Sequence, residues 1–346
     1  MAGAMLTMLS LNQKVERYVA YEIDKYAIQT AKHNFPMIEH RGDVIGADFT
    51  EFKGFDWVMA GFPCTKFSIA QKNDRETTPY GGEGWMLFEQ AWRAVQEAQP
   101  KYILFENNKS MAQPIQDEMS RIIGFHPINI NSSLLSAQAR NRIYWLGKRN
   151  PDGTYSQIEV EQPEDKKIML KDILESGYVD REKSYCLKHQ AGNVRDYFKK
   201  HHTQIAFEYV GDLVRIGDID TTADAHRVYS CFGKARTLKA NAGGQGGKTG
   251  LHLVPVPDEF VKDVCDKGLL YRVEDCKITT SHGAFNVNLP DGYYLIRKLT
   301  VLECKRLQTV PEWYDFSVVS DTQAYKMLGN GWTIVVIAYL VSHTLK

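Results

Sequence analysis

Apolar residues along the first part of the chain come in short runs that end on an acid or a glycine. Val15–Tyr21 ends at Glu22, Phe55–Ala60 ends at Gly61, and Lys101–Phe105 ends at Glu106-Asn107-Asn108. Runs of this length with few polar interruptions predict buried strands. Further short strands are expected before Gly42-Asp43-Val44 and near Pro127–Ser132. Between them lie stretches of helical period. Asp24–Asn34 has Asp24 as its N-cap, Trp85–Ala98 stops at Pro100, and Met111–Ile122 follows. Met5–Leu9 is apolar and helix-compatible. Strands alternating with helices predict an α/β domain of the dinucleotide-binding, Rossmann-like kind.

The pattern changes after Gly147. Asn150–Lys167 is polar with two prolines and reads as a linker. From there to about Tyr294 the runs are short and glycines frequent, which predicts a small domain, mostly β or irregular. Helical order returns at Thr300, where Glu303 three residues on completes a capping box. Gln323–Leu328 then leads through Gly329-Asn330-Gly331-Trp332-Thr333 to an apolar helix ending near Leu345. The expected division is residues 1–149, 150–296 and 297–346, the last returning to the first domain.

At 346 residues the chain has room for two domains. No apolar run is expected to span a bilayer, and the first residues lack the basic leader of a signal peptide. The six cysteines (64, 186, 231, 265, 276 and 304) form no Cys-x-x-Cys pair, so neither a zinc site nor a redox pair is expected. Scattered cysteines without a secretion signal suit a reducing cytoplasm. Lys+Arg and Asp+Glu both number 42, so any affinity for a polyanion must come from local patches.

Candidate chemistry gathers where strands end, because the carboxyl ends of strands border the ligand crevice in open α/β sheets. Gly61-Phe62-Pro63-Cys64 puts a thiol there, a candidate nucleophile or a buried structural cysteine. Glu22 and Asp43 follow the first two strands, where an acid can take ribose hydroxyls or an amino group; a surface acid and a turn acid are the plainer alternative. Gln71–Gly84 is polar and Gly-rich and reads as a mobile loop. Gln138, Arg140 and Arg142 alternate at period two and share a strand face. Ala242-Gly243-Gly244-Gln245-Gly246-Gly247-Lys248-Thr249 imitates a phosphate-binding loop, but its first glycine is replaced by Ala242 and no helix start follows. That excludes a nucleotide triphosphatase, and leaves Lys248 as a contact for a backbone phosphate.

In this order the pieces resemble the cytosine-C5 DNA methyltransferases of bacteria and phages over nearly the whole chain. Gly61–Ser68 is similar to that family's Pro-Cys loop, and Glu106-Asn107-Asn108 to its Glu-Asn-Val element. Gln138-x-Arg140-x-Arg142 is similar to its Gln-x-Arg-x-Arg strand. Arg297–Pro311 resembles its Arg-x-Leu-Thr-x-x-Glu-x-x-Arg-Leu-Gln helix, and Tyr325–Gly331 its Gly-Asn-Ser element, with Gly331 for Ser and Trp332 for the Val that follows. The resemblance implies an S-adenosylmethionine-dependent methyltransferase sheet with a smaller, mostly β target-recognition domain. It implies methyl transfer to C5 of a flipped-out cytosine through a Cys64 adduct at C6. Glu106 would be the acid at N3, buried against apolar walls to hold its proton. Arg140 would face O2, and Arg142 would steady the loop.

For the cofactor, S-adenosyl-L-methionine, the resemblance implies Gly3, Glu22, Ile23, Asp43, Val44, Pro63, Leu87 and Asn330. For DNA it implies Ser68, Lys72, Arg75, Gln138, Arg227, Arg236, Thr237 and Lys248. Duplex DNA is the implied partner of a monomeric, cytoplasmic protein in a bacterial or phage-infected cell, with no metal and no membrane; a cognate restriction endonuclease is a further partner the resemblance admits. One departure stands out. The family opens with a strand ending in Phe-x-Gly, and Met1-Ala2-Gly3-Ala4 lines up with the middle of that turn. Without that strand its two neighbours are expected to keep unpaired backbone groups, each costing about 1–3 kcal/mol if buried. A start codon set too late is one explanation, with a short apolar strand and Asp-Gly encoded upstream. A catalytically weak or inactive DNA-binding relative is the alternative, methylation of transfer RNA is a third reading, and a thiol hydrolase is the poorest.

Overall fold

The described part of the computed structural model comprises residues 2–62, 66–67, 75–187, 205–211, 270–280 and 283–345. The chain divides into two units. The first comprises Met1–Met169, Cys186–Gln190 and Cys304–Lys346, and the second Leu170–Tyr185 and Ala191–Glu303.

In the first unit, helix α1 (Gly3–Ser10) covers the apolar opening. Strand β1 (Val19–Tyr21) leads into helix α2 (Lys25–Asn34). The Asp24 side chain caps α2 by accepting from the backbone N–H groups of Tyr26 at 2.9 Å and Ala27 at 3.4 Å. Strand β2 (Glu39–Gly42) pairs in parallel with β1, Tyr21 opposite Gly42. Strand β3 (Trp57–Gly61) pairs in parallel with β4 (Tyr102–Asn108), Gly61 opposite Glu106. Between these two comes helix α3 (Glu83–Ala98). Its exposed N–H groups are satisfied by the Glu76 carboxylate, which accepts from Gly84 N at 2.8 Å and Trp85 N at 3.1 Å. Helix α4 (Gln113–Ile123) ends at Gly124, whose φ of 103° suits only glycine without strain. Strand β5 (Ile128–Asn131) and the two-residue β6 (Gln138–Ala139) precede β7 (Asn141–Arg149), which pairs antiparallel with both β4 and β5.

The sheet β3-β4-β7-β5 is separate from the pair β1-β2. No ladder joins β1 to β3 among the described residues, yet Val19 and Tyr21 of β1 and Val58 of β3 pack on one apolar cluster of Phe49, Phe52, Ala94 and Ala98. Among the described residues the two sheets thus share a core without sharing hydrogen bonds.

The larger sheet is covered on both faces, so its strands are apolar throughout rather than alternating. On one face Ile103, Phe105, Ile143 and Trp145 meet α3 and α4 through Phe88, Val95, Ile115 and Met119. On the other, Leu104, Tyr144 and Leu146 meet the last helix through Val336, Ile337 and Leu340. Period two along β4 puts Glu106 on the second face with Leu104.

The stretch expected as a linker, Asn150–Lys167, holds strand β8 (Tyr155–Gln157), hairpinned onto β7. Polar composition hid it because the turn is itself polar. Asp152 accepts from Thr154 N at 2.9 Å, and Gly153 takes φ 90°.

The second unit contains the short strand β9 (Ser184–Tyr185) and an antiparallel sheet. That sheet comprises β10 (Ile205–Gly211), β11 (Leu270–Glu274), β12 (Lys277–Thr280), β13 (Gly283–Asn286) and β14 (Gly292–Lys298), in the order β10-β14-β11-β12-β13. Ile205, Phe207, Val273, Ile278, Leu289 and Tyr294 form its core. Helix α5 (Val301–Leu307) begins with the expected capping box: Glu303 N donates to Thr300 Oγ1 at 3.1 Å, and Thr300 N donates to Glu303 Oε2 at 2.8 Å.

Back in the first unit, helices α6 (Asp321–Asn330) and α7 (Ile334–Ser342) close the chain. The stretch Asp321–Ser342 is long and apolar enough by composition to cross a membrane, contrary to the expectation from the sequence. It is broken between Asn330 and Ile334, and the apolar residues of α7 lie in the core.

Candidate active site

Glu106 stands near the carboxyl end of β4, buried at 8% exposure. Two neighbours flank its carboxylate. Arg142 Nε lies 2.9 Å from Oε1. Oε2 faces Gly61: a Cβ built there would sit 3.3 Å from Oε2 and 2.8 Å from Trp332 Nε1. Gly61 therefore has to be glycine for Trp332 and Glu106 to approach. Register explains why Arg142 is the arginine that reaches Glu106. On the β4–β7 ladder Asn108 faces Arg142 and Glu106 faces Tyr144, so positions 106 and 142 are diagonal neighbours on one face.

Arg140 differs from its expected role. It lies between β6 and β7, and its two terminal nitrogens donate within the chain. Nη1 donates to Gly329 O at 3.0 Å and Leu187 O at 3.3 Å, and Nη2 donates to Gly331 O at 3.0 Å. Arg140 thus fastens the α6–α7 link, and Arg142 is the guanidinium beside Glu106. Of the two arginines expected at the substrate, Arg142 is the one that stands beside Glu106. The walls around Glu106 also differ from those expected. They are buried but not wholly apolar, because a cation forms one side.

Gln138 is corrected as well. It is fully buried, donates from Nε2 to Leu307 O at 3.3 Å and Gln308 Oε1 at 3.2 Å, and accepts at Oε1 from Leu187 N at 2.8 Å. Gln308 Oε1 also accepts from Thr333 Oγ1 at 2.7 Å, and Gln308 O accepts from Ile334 N at 3.0 Å. Gln308 Nε2 donates to Leu328 O. This buried network holds the Gly329-Asn330-Gly331 turn in place, and Gln138 is part of it. Arg75 is occupied in the same way: Nη2 donates to Ser110 O at 2.7 Å and Nε to Phe67 O at 3.4 Å. Both residues were expected on the DNA through the family resemblance; the hydrogen bonds they make within the chain leave no trace in composition.

The acids expected at the cofactor lie at neighbouring strand ends. Glu22 follows β1 and Asp43 follows β2, and those strands are paired in parallel. Glu22 Oε1 accepts from Ile23 N and Asp24 N, both at 2.9 Å, and Asp43 Oδ1 accepts from Ile45 N at 2.9 Å. Ile23 is 75% exposed, an apolar face open beside an acid. Val44 packs on the cluster beneath, Leu87 is half-buried on α3, and Asn330 is exposed at the end of α6. Gly3 is buried within α1, its Cα side against the Trp332 ring, where a Cβ would sit 3.1 Å from Cε3. Pro63, Cys64, Ser68 and Lys72, with Arg227, Arg236, Thr237 and Lys248, lie outside the described residues.

Two participants were missed by sequence reasoning. Cys186 Sγ lies 3.2 Å from Arg140 Nη1 and 3.7 Å from Arg142 Nη2. Nothing in its local sequence marks it. Trp332 against Gly61 and Gly3 is the second, signalled only as a substitution within the Gly-Asn-Gly-Trp stretch.

Comparison with known proteins addresses the family and the fold. The family described as C-5 cytosine-specific DNA methylase matches residues 1–346. The type II methyltransferase M.HhaI of Haemophilus parahaemolyticus is 27% identical over 92% of this chain and 84% of its own length. The orphan methyltransferase M.SPBetaI of Bacillus phage SPbeta is 26% identical over 91% of this chain and 89% of its own. Among solved structures, an Entamoeba histolytica methyltransferase (EhMeth) superposes with a TM-score of 0.55 at 13% identity, over 99% of this chain and 95% of its own. A putative DNA modification methyltransferase encoded within an E. coli prophage does so at 0.52 and 18%, over 99% and 95%. At those identities the structures speak for the fold alone, an α/β methyltransferase fold. The match over the whole chain settles the family: the chain belongs to the C-5 cytosine-specific DNA methylases, which makes it a DNA (cytosine-5-)-methyltransferase by class and a user of S-adenosylmethionine.

Proposed function

We propose that this protein methylates C5 of a cytosine flipped out of duplex DNA, through transient attachment of Cys64 to C6 of the ring. The observation that carries the proposal is the buried Glu106, tied through Oε1 to Arg142 while Oε2 faces Gly61, the residue that opens Gly61-Phe62-Pro63-Cys64.

Cytosine C5 is a weak nucleophile. Addition of the Cys64 thiolate at C6 forms an S–C6 bond and moves the C5–C6 double-bond electrons toward C5 and the ring nitrogen. Covalent catalysis thereby splits one hard step into easier ones. Glu106, hydrogen-bonded at N3, relieves the charge that gathers there. Arg142, the cation beside it, fits the O2 carbonyl better than Arg140, whose terminal nitrogens donate to Gly329 O and Gly331 O. After C5 is alkylated, loss of its proton and departure of the sulfur restore the aromatic ring and free Cys64. A ring stacked inside a duplex cannot meet these groups, so flipping is part of the scheme, at about a few kcal/mol of stacking and pairing.

The residues at the ends of β1 and β2 fit S-adenosylmethionine by chemistry. Glu22 suits ribose hydroxyls, the open face of Ile23 suits adenine, and Asp43 suits its amino group. When bound, the cofactor supplies an electrophilic methyl group. Nothing favours the alternative of an inactive relative, since Glu106, Arg140 and Arg142 are all held in place. The second unit is the proposed target-recognition domain. A cytoplasmic setting in a bacterial or phage-infected cell, action as a monomer and pairing with a restriction endonuclease complete the reading.

Incubation with duplex DNA and tritium-labelled S-adenosylmethionine tests the proposal, followed by bisulfite sequencing of DNA from expressing cells. Label in DNA, with unconverted cytosines at one recurring sequence, is expected. No label in DNA, or label only in transfer RNA, overturns it.

A further inference from the structure

Cys186 is remote in sequence from the strands it serves. Its Sγ lies between two guanidiniums, 3.2 Å from Arg140 Nη1 and 3.7 Å from Arg142 Nη2. Both arginines are nearly fully buried, Arg140 at 4% and Arg142 at 6% exposure. Two buried like charges so close need acceptors on every side. Arg140 has the carbonyls of Gly329, Gly331 and Leu187. Arg142 has Glu106 at its Nε end and Asn141 O at 2.9 Å from Nη1. The sulfur is the group that both share.

Cys186 is suited to that place. Burial pushes its thiol up, but the charges of Arg140 and Arg142 and their hydrogen bonds more than offset this and hold it below the ordinary thiol value. The sulfur accepts from both guanidiniums and itself donates to Leu187 O at 3.5 Å, so a neutral acceptor of this size serves both cations.

Resting on the reading of Glu106 and Arg142 given above, we propose that Cys186 is a positioning residue for methyl transfer: its sulfur anchors the Nη2 end of Arg142, so that Nε stays on Glu106. Without it, Arg142 keeps Asn141 O at Nη1 but loses the sulfur that sets its Nη2 end, and the guanidinium tilts relative to Glu106. Small misplacements of such groups cost rate far more than binding.

The test compares Cys186→Val and Cys186→Ala, which lack an acceptor, with Cys186→Ser, which keeps one. Valine fills the space, so the comparison survives if the alanine variant does not fold. Steady-state kinetics on duplex DNA are expected to show kcat about tenfold lower for valine and alanine, the size of one hydrogen bond to a charged group. KM for DNA and for S-adenosylmethionine should stay within about twofold, and serine should recover most of the rate. A valine variant at the wild-type rate overturns the inference, as does a serine variant as slow as valine, or a loss seen only in KM or in thermal stability. A wild-type chain that methylates no DNA overturns the functional reading with it, whereas an active wild type matched by valine overturns this inference alone.

Discussion

Replacing Gln138 with leucine separates a structural role from a DNA contact. The side chain makes three buried hydrogen bonds: to Leu307 O, to Gln308 Oε1, and from Leu187 N at 2.8 Å. Leucine has nearly the same length but can make none. The Leu187 N–H is then a buried donor without a partner, and one orphaned group costs about 1–3 kcal/mol. Gln308 Oε1 keeps Thr333 Oγ1 at 2.7 Å, so its loss is partial. The Leu307 carbonyl adds a further share, for a total of about 2–5 kcal/mol. For a cooperative unit of this size that lowers the melting temperature by roughly 5–15 °C. Thermal unfolding followed by circular dichroism gives the first number, and fluorescence anisotropy with a labelled duplex below the transition gives the second. The expected result is a clear fall in melting temperature with Kd for DNA within about twofold of wild type. An unchanged melting temperature with DNA affinity down tenfold would refute the reasoning and return Gln138 to the DNA.

Gly61→Ala brings a methyl group to 2.8 Å from Trp332 Nε1 and 3.3 Å from Glu106 Oε2. It should lower kcat at least tenfold, with Trp332→Val in the same chain restoring part of it; no recovery in the double variant would count against the clash. Thr300→Ala removes the acceptor for Glu303 N, and should cost about 1 kcal/mol in chemical denaturation. Acid stability follows from Glu303, which is fully buried. Burial raises its carboxyl, but hydrogen bonds from Arg297, Glu175 N and Thr300 N, with the Arg297 charge, outweigh this and hold it below the ordinary carboxylate range. A carboxyl lowered on folding contributes stability above its unfolded value and loses it as pH falls through the folded one. The advantage of wild type over Glu303→Gln should therefore shrink as pH drops below the usual carboxylate range; a difference constant with pH would contradict this.

Local rules were enough for much of the fold. Asp24 announces α2, Thr300 with Glu303 announces α5, and the apolar runs ending at Gly61 and Glu106 mark β3 and β4. Each of these is written within a few neighbouring residues. What composition could not convey is which polar side chains are satisfied inside. Gln138 and Arg75 were expected on DNA from the resemblance, and the structure adds that both donate to backbone oxygens of the chain. Arg140 and Arg142 are indistinguishable by period; only the register of β7 on β4 decides which one reaches Glu106. Cys186 joins them from 44 residues beyond Arg142, and no periodicity spans such a distance. β8 was missed for a different reason, since a polar hairpin turn imitates a linker.

The central claim is a bond between Cys64 and the cytosine ring, and a duplex carrying 5-fluorocytosine at the methylated position examines it directly. Fluorine at C5 cannot leave as the proton does, so elimination stops and the enzyme stays attached once C5 is alkylated. On a denaturing gel, with S-adenosylmethionine present, wild-type chain should run at the summed mass of protein and DNA, and Cys64→Ser should run alone. A wild-type chain that methylates ordinary DNA but never forms that species, or a serine variant that methylates at the wild-type rate, would contradict the account.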